Sequence, residues 1–237
     1  MNSLAVIGPV LATVLAYMVG SLSFAVIVSR LMGLADPRTF GSKNPGATNV
    51  LRSGSKAAAV VTLLLDAAKG WLPVLLVRLY GREYGLGDGT LALVALGAFL
   101  GHLYPVYFRF QGGKGVATAV GVLLGLEPWL ALVALLVWVF MAVVFRMSSL
   151  ASITAAAITP VAYLMGDGGL WVSSAQLAVS VVAMCLLLWY RHAGNINRLV
   201  KGTEPRLGRK APAAQAGEAG RGQAAPHKPR SSKGQQR

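Results

Sequence analysis

The sequence predicts an all-α integral membrane protein, a bundle of about seven transmembrane helices with the N-terminus outside and the C-terminus in the cytoplasm. Hydrophobic residues make up 55% of the 237 residues and charged residues only 13%, whereas about a quarter of a soluble domain is charged. The apolar residues are also grouped into long runs, and a helix of about 20 mostly apolar residues crosses the roughly 30 Å of bilayer hydrocarbon. A soluble core of this size could not enclose so many runs.

Seven apolar segments follow one another along the chain. The first contains Gly20, Ser21 and Ser23, small residues that allow helices to pack closely. The fourth is the shortest and ends at Glu127, directly before Pro128. We place the segments at residues 4–28, 57–79, 90–108, 116–126, 128–145, 150–165 and 170–190.

The positions of lysine and arginine predict the orientation, because cytoplasmic loops are enriched in both. Seven crossings place every basic loop inside, whereas the loop in which Arg82 is balanced by Glu83 and Asp88 lies outside. If the fourth segment did not cross, either Arg146 or the basic C-terminal residues would lie outside. Ahead of the C-terminal tail, the basic residues that this topology places inside include Arg30, Arg38, Lys43, Arg52, Lys56, Arg109, Lys114, Arg146 and Arg191.

We divide the chain into a transmembrane domain, residues 1–208, and a basic cytoplasmic tail, residues 209–237. The tail contains no large apolar residue from Ala211 onward, so we expect it to be disordered. The net charge is +14, and the segment from Thr203 contributes +6 of it, with eight Lys or Arg against two Glu. Basic charge beside a membrane favours lipid headgroups as partners, and we predict no nucleic-acid partner. Cys185 is the only cysteine, and a single cysteine can form neither a disulfide within the chain nor a Cys-based metal site.

Three polar motifs, at residues 41–52, 101–118 and 191–204, lie where apolar segments end. They combine glycine N–H groups, neutral polar side chains and the charges of Arg and Lys. This mixture suits a phosphate, whose oxygens accept several hydrogen bonds at once. Since the predicted topology brings all three motifs to the cytoplasmic face, we expect one composite anion site beside the lipid.

The first motif contains a Pro-Gly turn surrounded by polar side chains. Its candidate phosphate ligands are Ser42, Asn44, Asn49 and Arg52, with Gly46 in the turn. The alternative is a re-entrant or interfacial connector that is capped by its own Asn and Ser side chains. We favour phosphate binding, because a connector does not need so many donors.

The second motif places Gly112, Gly113 and Lys114 directly before an apolar helix. Glycines at a helix N-terminus let backbone N–H groups approach an anion, and the helix dipole assists. A Walker loop does not fit, because Gly115 stands where that loop needs Ser or Thr. In the alternative interpretation, the glycines permit a sharp turn and Lys114 is an interfacial anchor.

His102 invites comparison with acyltransferases in which a His is followed, after four residues, by an Asp. Tyr107 occupies that position here, so this pairing of a base with an orienting carboxylate is absent. We therefore favour a packed, hydrogen-bonded His102 over a general base.

Asp66 and Lys69 lie three residues apart inside the second apolar segment, and therefore on one helix face. Ionisable residues at this depth usually face the interior of a bundle. We favour a mutually satisfying structural pair over a role in a polar cavity.

The third motif follows the last apolar segment. Arg191 and His192 lie four and three residues before Asn195, which places them on one face of a helix with it. A positive collar at the membrane surface would explain the arginines but neither His192 nor Asn195. We expect Glu204 to support this segment by pairing with a basic loop residue.

Together, the three motifs resemble those of the bacterial acyl-phosphate-dependent glycerol-3-phosphate acyltransferase family, from residue 1 to about residue 208. The pattern Gly-Ser-Gly-Asn-(Ile/Pro)-Gly-Ala-Thr-Asn-x-x-Arg is met by residues 41–52, with Lys43 in place of a Gly. Residues 101–118 meet the pattern Gly-His-x-x-Pro-Val-x-x-x-Phe-x-Gly-Gly-Lys-x-Val-Ala-Thr. The third pattern, Arg-His-x-x-Asn-Ile-x-Arg-Leu-x-x-Gly-x-Glu, is met at Arg191, His192, Asn195, Ile196, Arg198, Leu199, Gly202 and Glu204.

The resemblance implies transfer of a fatty acyl group from acyl phosphate to the 1-hydroxyl of glycerol 3-phosphate, giving lysophosphatidic acid and phosphate. It implies a monomer in the bacterial cell membrane, with its site facing the cytoplasm and with no metal or cofactor. An acyl phosphate is a mixed anhydride with a good leaving group, so no covalent Ser or Cys intermediate is needed. The site has to position the substrates and neutralise their charge.

The resemblance also divides the site residues into three groups. The catalytic candidates are Ser42, Arg52, Lys114, His192 and Asn195. The candidate phosphate ligands are Asn44, Gly46, Asn49, Gly112, Gly113 and Arg191. The residues expected to give structural support are Asp66, Lys69 and Glu204. The proton of the attacking hydroxyl would go either to a substrate phosphate oxygen or to His192.

Two other functions compete with acyl transfer. An organic-phosphate transporter or exchanger would also need a basic site among several helices. Transporters often contain internal repeats with motifs in both halves, however, and here every motif lies on one predicted face. A membrane scaffold whose tail recruits partners would leave His192 and Asn195 unexplained.

Overall fold

The computed structural model describes residues 3–208, and their side chains from residue 7 onward, as a bundle of helices. The predicted tail, residues 209–237, lies outside the described residues. Short 3₁₀ turns at Gly81–Tyr84 and Val106–Phe108 accompany the α-helices. The α-helices of residues 3–208 are α1 Ser3–Gly20, α2 Phe24–Leu31, α3 Ala47–Leu51, α4 Lys56–Tyr80, α5 Asp88–Leu103, α6 Val116–Leu126, α7 Pro128–Phe145, α8 Ser148–Met165, α9 Ala175–Arg191 and α10 Ala193–Val200.

Four helical segments are long and apolar enough to cross a membrane, namely α4 and α5, each taken with the 3₁₀ turn that follows it, and α7 and α8. Two bent pairs, α1 with α2 at 41° and α9 with α10 at 60°, raise the number to six if each pair is one crossing. Helix α6, with 11 residues, is shorter. The predicted all-α membrane class is therefore confirmed, while the seventh crossing and the orientation of the two ends stay predictions.

The first apolar segment is broken rather than continuous. Helix α1 ends at Gly20, and the buried Ser21 donates its hydroxyl to the Tyr17 carbonyl at 2.8 Å. Such bonds from a side chain to the preceding turn bend helices. A Cβ at Gly20 would collide with the Ala98 carbonyl of α5, so the two helices touch through their backbones at the break.

The third apolar segment, predicted at residues 90–108, ends earlier in the structure. Helix α5 stops at Leu103, because Tyr104 precedes Pro105 and a residue before proline is driven out of the α region. The chain then turns through Val106–Phe108 toward the second motif. A proline inside this motif thus ends the helix on which His102 lies.

The remaining segments correspond to single helices. Helices α6 and α7 have the predicted bounds, and α4 and α8 begin and end within two residues of theirs. Helix α9 begins five residues later than predicted, because the Ser174 side chain caps it by accepting from the Leu177 N–H at 3.3 Å.

Glycines bring α6 directly against α4. A Cβ at Gly121 would collide with the Ala67 carbonyl, and a Cβ at Gly70 would collide with the Thr118 carbonyl. Small residues allow this close approach of backbones, which stabilises helix pairs by van der Waals contact. The crossing sets the position of α6, whose first residues are the last ones of the second motif.

The bundle has an apolar core and an apolar outer surface. Phe99, Leu126 and Tyr163 are among its fully buried side chains, whereas α7 exposes Trp129 and Phe140. Extended exposed apolar surfaces mark contact with membranes or partners. Here they surround the helices that are long enough to cross, as expected for a lipid-facing surface.

Candidate active site

The first motif is a loop followed by the short helix α3, and one buried amide joins the two. Asn49 Oδ1 accepts from the Ser42 N–H at 3.1 Å, and Asn49 Nδ2 donates to the carbonyls of Pro37 at 2.6 Å and Phe40 at 3.1 Å. Asn49 is 2% exposed, and buried polar groups are costly unless hydrogen-bonded in this way. We predicted Asn49 as a phosphate ligand, but its amide already makes these bonds within the loop.

The other predicted residues of this loop are more accessible. Ser42 and Arg52 are exposed, Asn44 is half-buried, and Gly46 immediately precedes α3. Lys43 has a φ of 55°, in the left-handed region that glycine adopts at the least cost. The sequence thus departs from the family pattern at a position whose backbone conformation favours glycine.

The glycines of the second motif pack against the end of α5. A Cβ at Gly112 would collide with the carbonyls of His102 and Leu103. The Gly113 N–H donates to the His102 carbonyl at 3.1 Å, so this donor is already engaged. Gly115, with a φ of 84°, directly precedes α6, as predicted for glycines at a helix N-terminus.

Arg191 binds the backbone of the second motif. Its Nε donates to the Gly113 carbonyl at 3.0 Å and its Nη2 to the Gly112 carbonyl at 2.7 Å. The guanidinium also lies over the Tyr104 ring, 5.5 Å from the centroid, in a cation–π contact. The predicted phosphate ligand therefore binds two backbone carbonyls of the loop.

Lys114 links the second motif to the third. Its Nζ donates to Asn195 Oδ1 at 2.5 Å. Burial lowers the pKa of Lys114 from 10.5 to about 8, against the opposing effect of Glu204 and with a further lowering by guanidinium groups that include Arg52. An ammonium that has lost this much hydration gains strongly from an arriving anion.

Glu204 accepts three hydrogen bonds beside this lysine. Its Oε1 accepts from Asn195 Nδ2 and from Ser149 Oγ, both at 2.6 Å, and its Oε2 accepts from Arg198 Nε at 2.8 Å. Burial alone would raise the pKa of Glu204, but these hydrogen bonds hold it below its ordinary value. The expected pairing with a basic residue is present, although Arg198 lies in α10 and not in a loop.

His192 lies at the bend between α9 and α10 and is 2% exposed. Its Nδ1 is 2.8 Å from the Leu188 carbonyl. Because a carbonyl can only accept, Nδ1 carries the proton, and Nε2 of the neutral ring is left as an acceptor. The bend also divides the third motif, so Arg191 and Asn195 do not share one continuous helix face as predicted, yet both reach the second motif.

The three motifs meet around Gly113. A Cβ on this glycine would lie 2.9 Å from the Pro45 carbonyl of the first motif. The third motif reaches the same residue through Arg191. The structure thus brings the three motifs together, as predicted, and the binding of an anion by them stays a prediction.

Sequence reasoning did not pair His102 with a carboxylate, but one lies beside it. Asp66 Oδ1 is 2.7 Å from Lys69 Nζ and 3.6 Å from His102 Nδ1. The predicted ion pair of Asp66 and Lys69 is therefore present. The expected hydrogen bond of the His102 ring is not, since its Nδ1 has no hydrogen-bond partner within residues 3–208. The available signal was that charges in an apolar segment require polar neighbours from another segment.

An apolar cavity lies beside these residues, between α6, α7, α8 and α9. One end is lined by Val116, two residues after Lys114, and by Leu188, whose carbonyl binds His192. Its lining also includes Thr159. This lining is chemically suited to an apolar chain.

Comparison with known proteins places the chain in a family. The sequence profile described as glycerol-3-phosphate acyltransferase matches residues 10–202. The chain is 68% identical over 203 residues to the glycerol-3-phosphate acyltransferase of Albidiferax ferrireducens, covering 86% of this chain and 91% of the relative. It is 55% identical over 197 residues to that of Bordetella pertussis, covering 83% and 91%.

Two crystal structures of PlsY (YgiH), an integral membrane glycerol 3-phosphate acyltransferase, share the fold. The glycerol 3-phosphate form superposes with a TM-score of 0.77 at 38% identity, and the lysophosphatidic acid form with 0.75 at 37%. Each match covers 85% of this chain and 96% of the other. These similarities favour acyl transfer over the transport and scaffold alternatives. The chain belongs to the glycerol-3-phosphate acyltransferase family of integral membrane proteins.

Proposed function

We propose that this protein transfers a fatty acyl group from an acyl phosphate to the 1-hydroxyl of sn-glycerol 3-phosphate, giving lysophosphatidic acid and phosphate. The observation that carries the proposal is the contact of Lys114 with Asn195 beside one end of an apolar cavity. The cation suits a phosphate and the cavity suits an acyl chain. The names of the relatives and the two ligand forms of the similar structures support the acceptor and the product.

In the proposed reaction, the 1-hydroxyl oxygen attacks the carbonyl carbon of the acyl phosphate. The bond between that carbon and the phosphate oxygen breaks, and the leaving phosphate takes the electron pair. Because the mixed anhydride is already activated, the protein contributes positioning and charge stabilisation. The monomeric state and the absence of a cofactor stay predictions.

We assign five residues to the reacting groups. Lys114 and Arg52 neutralise phosphate and developing oxyanion charge, and the exposed Ser42 donates to a phosphate oxygen. Asn195 holds Lys114 in place. His192 presents Nε2 as an acceptor, so the hydroxyl proton has two destinations, this nitrogen and a phosphate oxygen of the substrate.

The six predicted phosphate ligands divide by the direction of their contacts. We propose that Asn44 and Gly46, on the first loop, approach the phosphate. The other four make their contacts within the protein and are proposed to hold the two loops in place; these are Asn49, Gly112, Gly113 and Arg191.

The donor is expected to be acyl phosphate, with little turnover of acyl-CoA. The His-x4-Asp pair is absent, and the ring of His102 faces Gly113 at its Nε2, so a base of that kind is not available. Purified protein is given either donor with the same acyl chain, and lysophosphatidic acid is measured by mass spectrometry. Omitting glycerol 3-phosphate controls for hydrolysis. Comparable rates with both donors would reject the donor assignment.

We also propose that the chain crosses the cell membrane seven times with its N-terminus outside, which puts the site in the cytoplasm. The basic loops and the contacts among the three motifs support this topology. In a Cys185→Ala background, an impermeant maleimide should label Glu83→Cys in intact cells. It should label Lys43→Cys and Asn197→Cys only after permeabilisation. External labelling of either of these two positions would rule the topology out.

A further inference from the structure

A buried polar network lies beside the second motif. Asp66, Lys69 and His102 are 2%, 3% and 7% exposed, and they come from α4 and α5. Buried charges destabilise a fold unless they are paired, and ionisable residues inside a membrane segment commonly have a function. None of the reaction steps proposed above uses these three side chains.

One end of the network is anchored on the break between α1 and α2. Asp66 Oδ1 lies between Lys69 Nζ at 2.7 Å and His102 Nδ1 at 3.6 Å. Lys69 Nζ also donates to the Leu22 carbonyl at 2.7 Å and lies 5.7 Å from the centroid of the Phe24 ring. The network therefore connects the broken first segment to α5.

The other end of the network lies at Gly113, in the second motif. The His102 carbonyl accepts from the Gly113 N–H at 3.1 Å, and a Cβ on Gly113 would collide with His102 Nε2. This nitrogen faces the loop backbone, which does not suit a general base. Arg191 donates to the Gly113 carbonyl, so both backbone polar groups of Gly113 are hydrogen-bonded immediately before Lys114.

We propose that His102 is a positioning residue for the reaction. Its ring, oriented by Asp66 and Lys69, sets the position of Gly113 and through it the position of the Lys114 ammonium. The inference rests on the proposed function, because Lys114 is the group that meets the phosphate. Displacing such a group by about 1 Å can cost about 10²-fold in rate.

Two variants that conserve volume test the proposal beside a matched control. His102→Phe keeps a ring against Gly113 but offers Asp66 no nitrogen. The double change Asp66→Asn with Lys69→Met removes both charges and leaves no unpaired buried charge. The control is Thr62→Val, one turn before Asp66. The Thr62 hydroxyl is buried without a hydrogen-bond partner within residues 3–208, so its removal should be nearly neutral.

The folded His102→Phe protein is expected to bind glycerol 3-phosphate about tenfold more weakly, as measured by ³¹P NMR without any acyl donor, and to lose at least as much kcat/KM. The double variant should show the same losses of binding and of kcat/KM, and Thr62→Val should match the wild type in both. Combined with Lys114→Ala, His102→Phe should cost nothing further, because it acts through Lys114.

Three outcomes would overturn the proposal. The first is that folded His102→Phe binds glycerol 3-phosphate and turns over as the wild type does, and the second is that the double variant does so. The third is that His102→Phe lowers kcat/KM as much in the Lys114→Ala background as it does in the wild type. If His102→Phe does not fold, the double variant decides. Failure of the proposed function is a separate result, in which the wild-type protein makes no lysophosphatidic acid from acyl phosphate.

Discussion

Lys114→Ala is expected to lower kcat/KM for glycerol 3-phosphate by about 10²–10³-fold, the usual cost of losing one group that stabilises developing charge. The change also leaves Asn195 Oδ1 without its lysine donor. The measurement is the initial rate of lysophosphatidic acid formation over a range of glycerol 3-phosphate concentrations. Thermal unfolding in detergent confirms that the variant is folded.

Lys201→Ala is the matched control for this change. Lys201 is an exposed lysine directly after α10, and its replacement removes the same charge from the same end of the molecule. Exposed charges contribute little to stability, so the control should keep wild-type kinetics. A well-folded Lys114→Ala protein with near-normal kcat/KM would contradict the assignment of Lys114.

The same lysine should impose a pH dependence on the reaction. Burial lowers the pKa of Lys114 to about 8, so the free protein carries the ammonium below that pH and loses it above. Since kcat/KM reports the ionisations of the free enzyme, its value for glycerol 3-phosphate should decline above about pH 8. A guanidinium keeps its charge throughout this range, so Lys114→Arg should lack the decline. An unchanged decline in that variant would assign it to another group.

Gly121→Ala is expected to be the second large effect, on the fold as well as on the rate. The added methyl would collide with the Ala67 carbonyl, which can retreat only if α4 and α6 separate. Overpacking of this kind costs about 1–3 kcal/mol and occasionally more. Because α6 begins just after Lys114, we expect a lower unfolding temperature in detergent together with a lower kcat/KM.

Gly89→Ala provides the comparison, because it adds the same methyl to a helix at a position with open space. No heavy atom lies within 4 Å of a Cβ at Gly89, in the first turn of α5. Alanine is the better helix former, by about 0.5–1 kcal/mol, so this protein should unfold at the wild-type temperature or above. Equal unfolding temperatures for the two variants would show that the α4–α6 contact adjusts freely.

The helices were predictable where local residues mark their ends. Pro128 fits the first turn of α7, where its missing N–H is harmless, and Arg146 adopts a left-handed conformation after the last turn. The break after Gly20 was not predictable, because it depends on contact with Ala98, which is distant in sequence. Tyr104 before Pro105 did signal the early end of α5, but the apolar residues continue to Phe108 and the predicted segment followed them.

The meeting of the three motifs was predictable from the sequence, but the direction of their hydrogen bonds was not. Asn49, Gly113 and Arg191 have donors that suit phosphate, and the structure turns those donors toward backbone carbonyls instead. Periodicity also placed Asp66 and Lys69 on one face. Their approach to His102 needed the packing of two helices, which the spacing of residues along one segment does not contain.

The contacts of Asn195 give the site an internal polarity. The oxygen end of the amide meets the Lys114 ammonium, and the nitrogen end meets the Glu204 carboxylate. Rotating the amide by half a turn would oppose two donors at one end and two acceptors at the other. The series from Lys114 through Asn195 to Glu204 therefore has a single favourable arrangement, present before any substrate arrives. Dipoles that are aligned in advance need no reorganisation when charge develops, which is how a protein without a covalent intermediate can still lower a barrier.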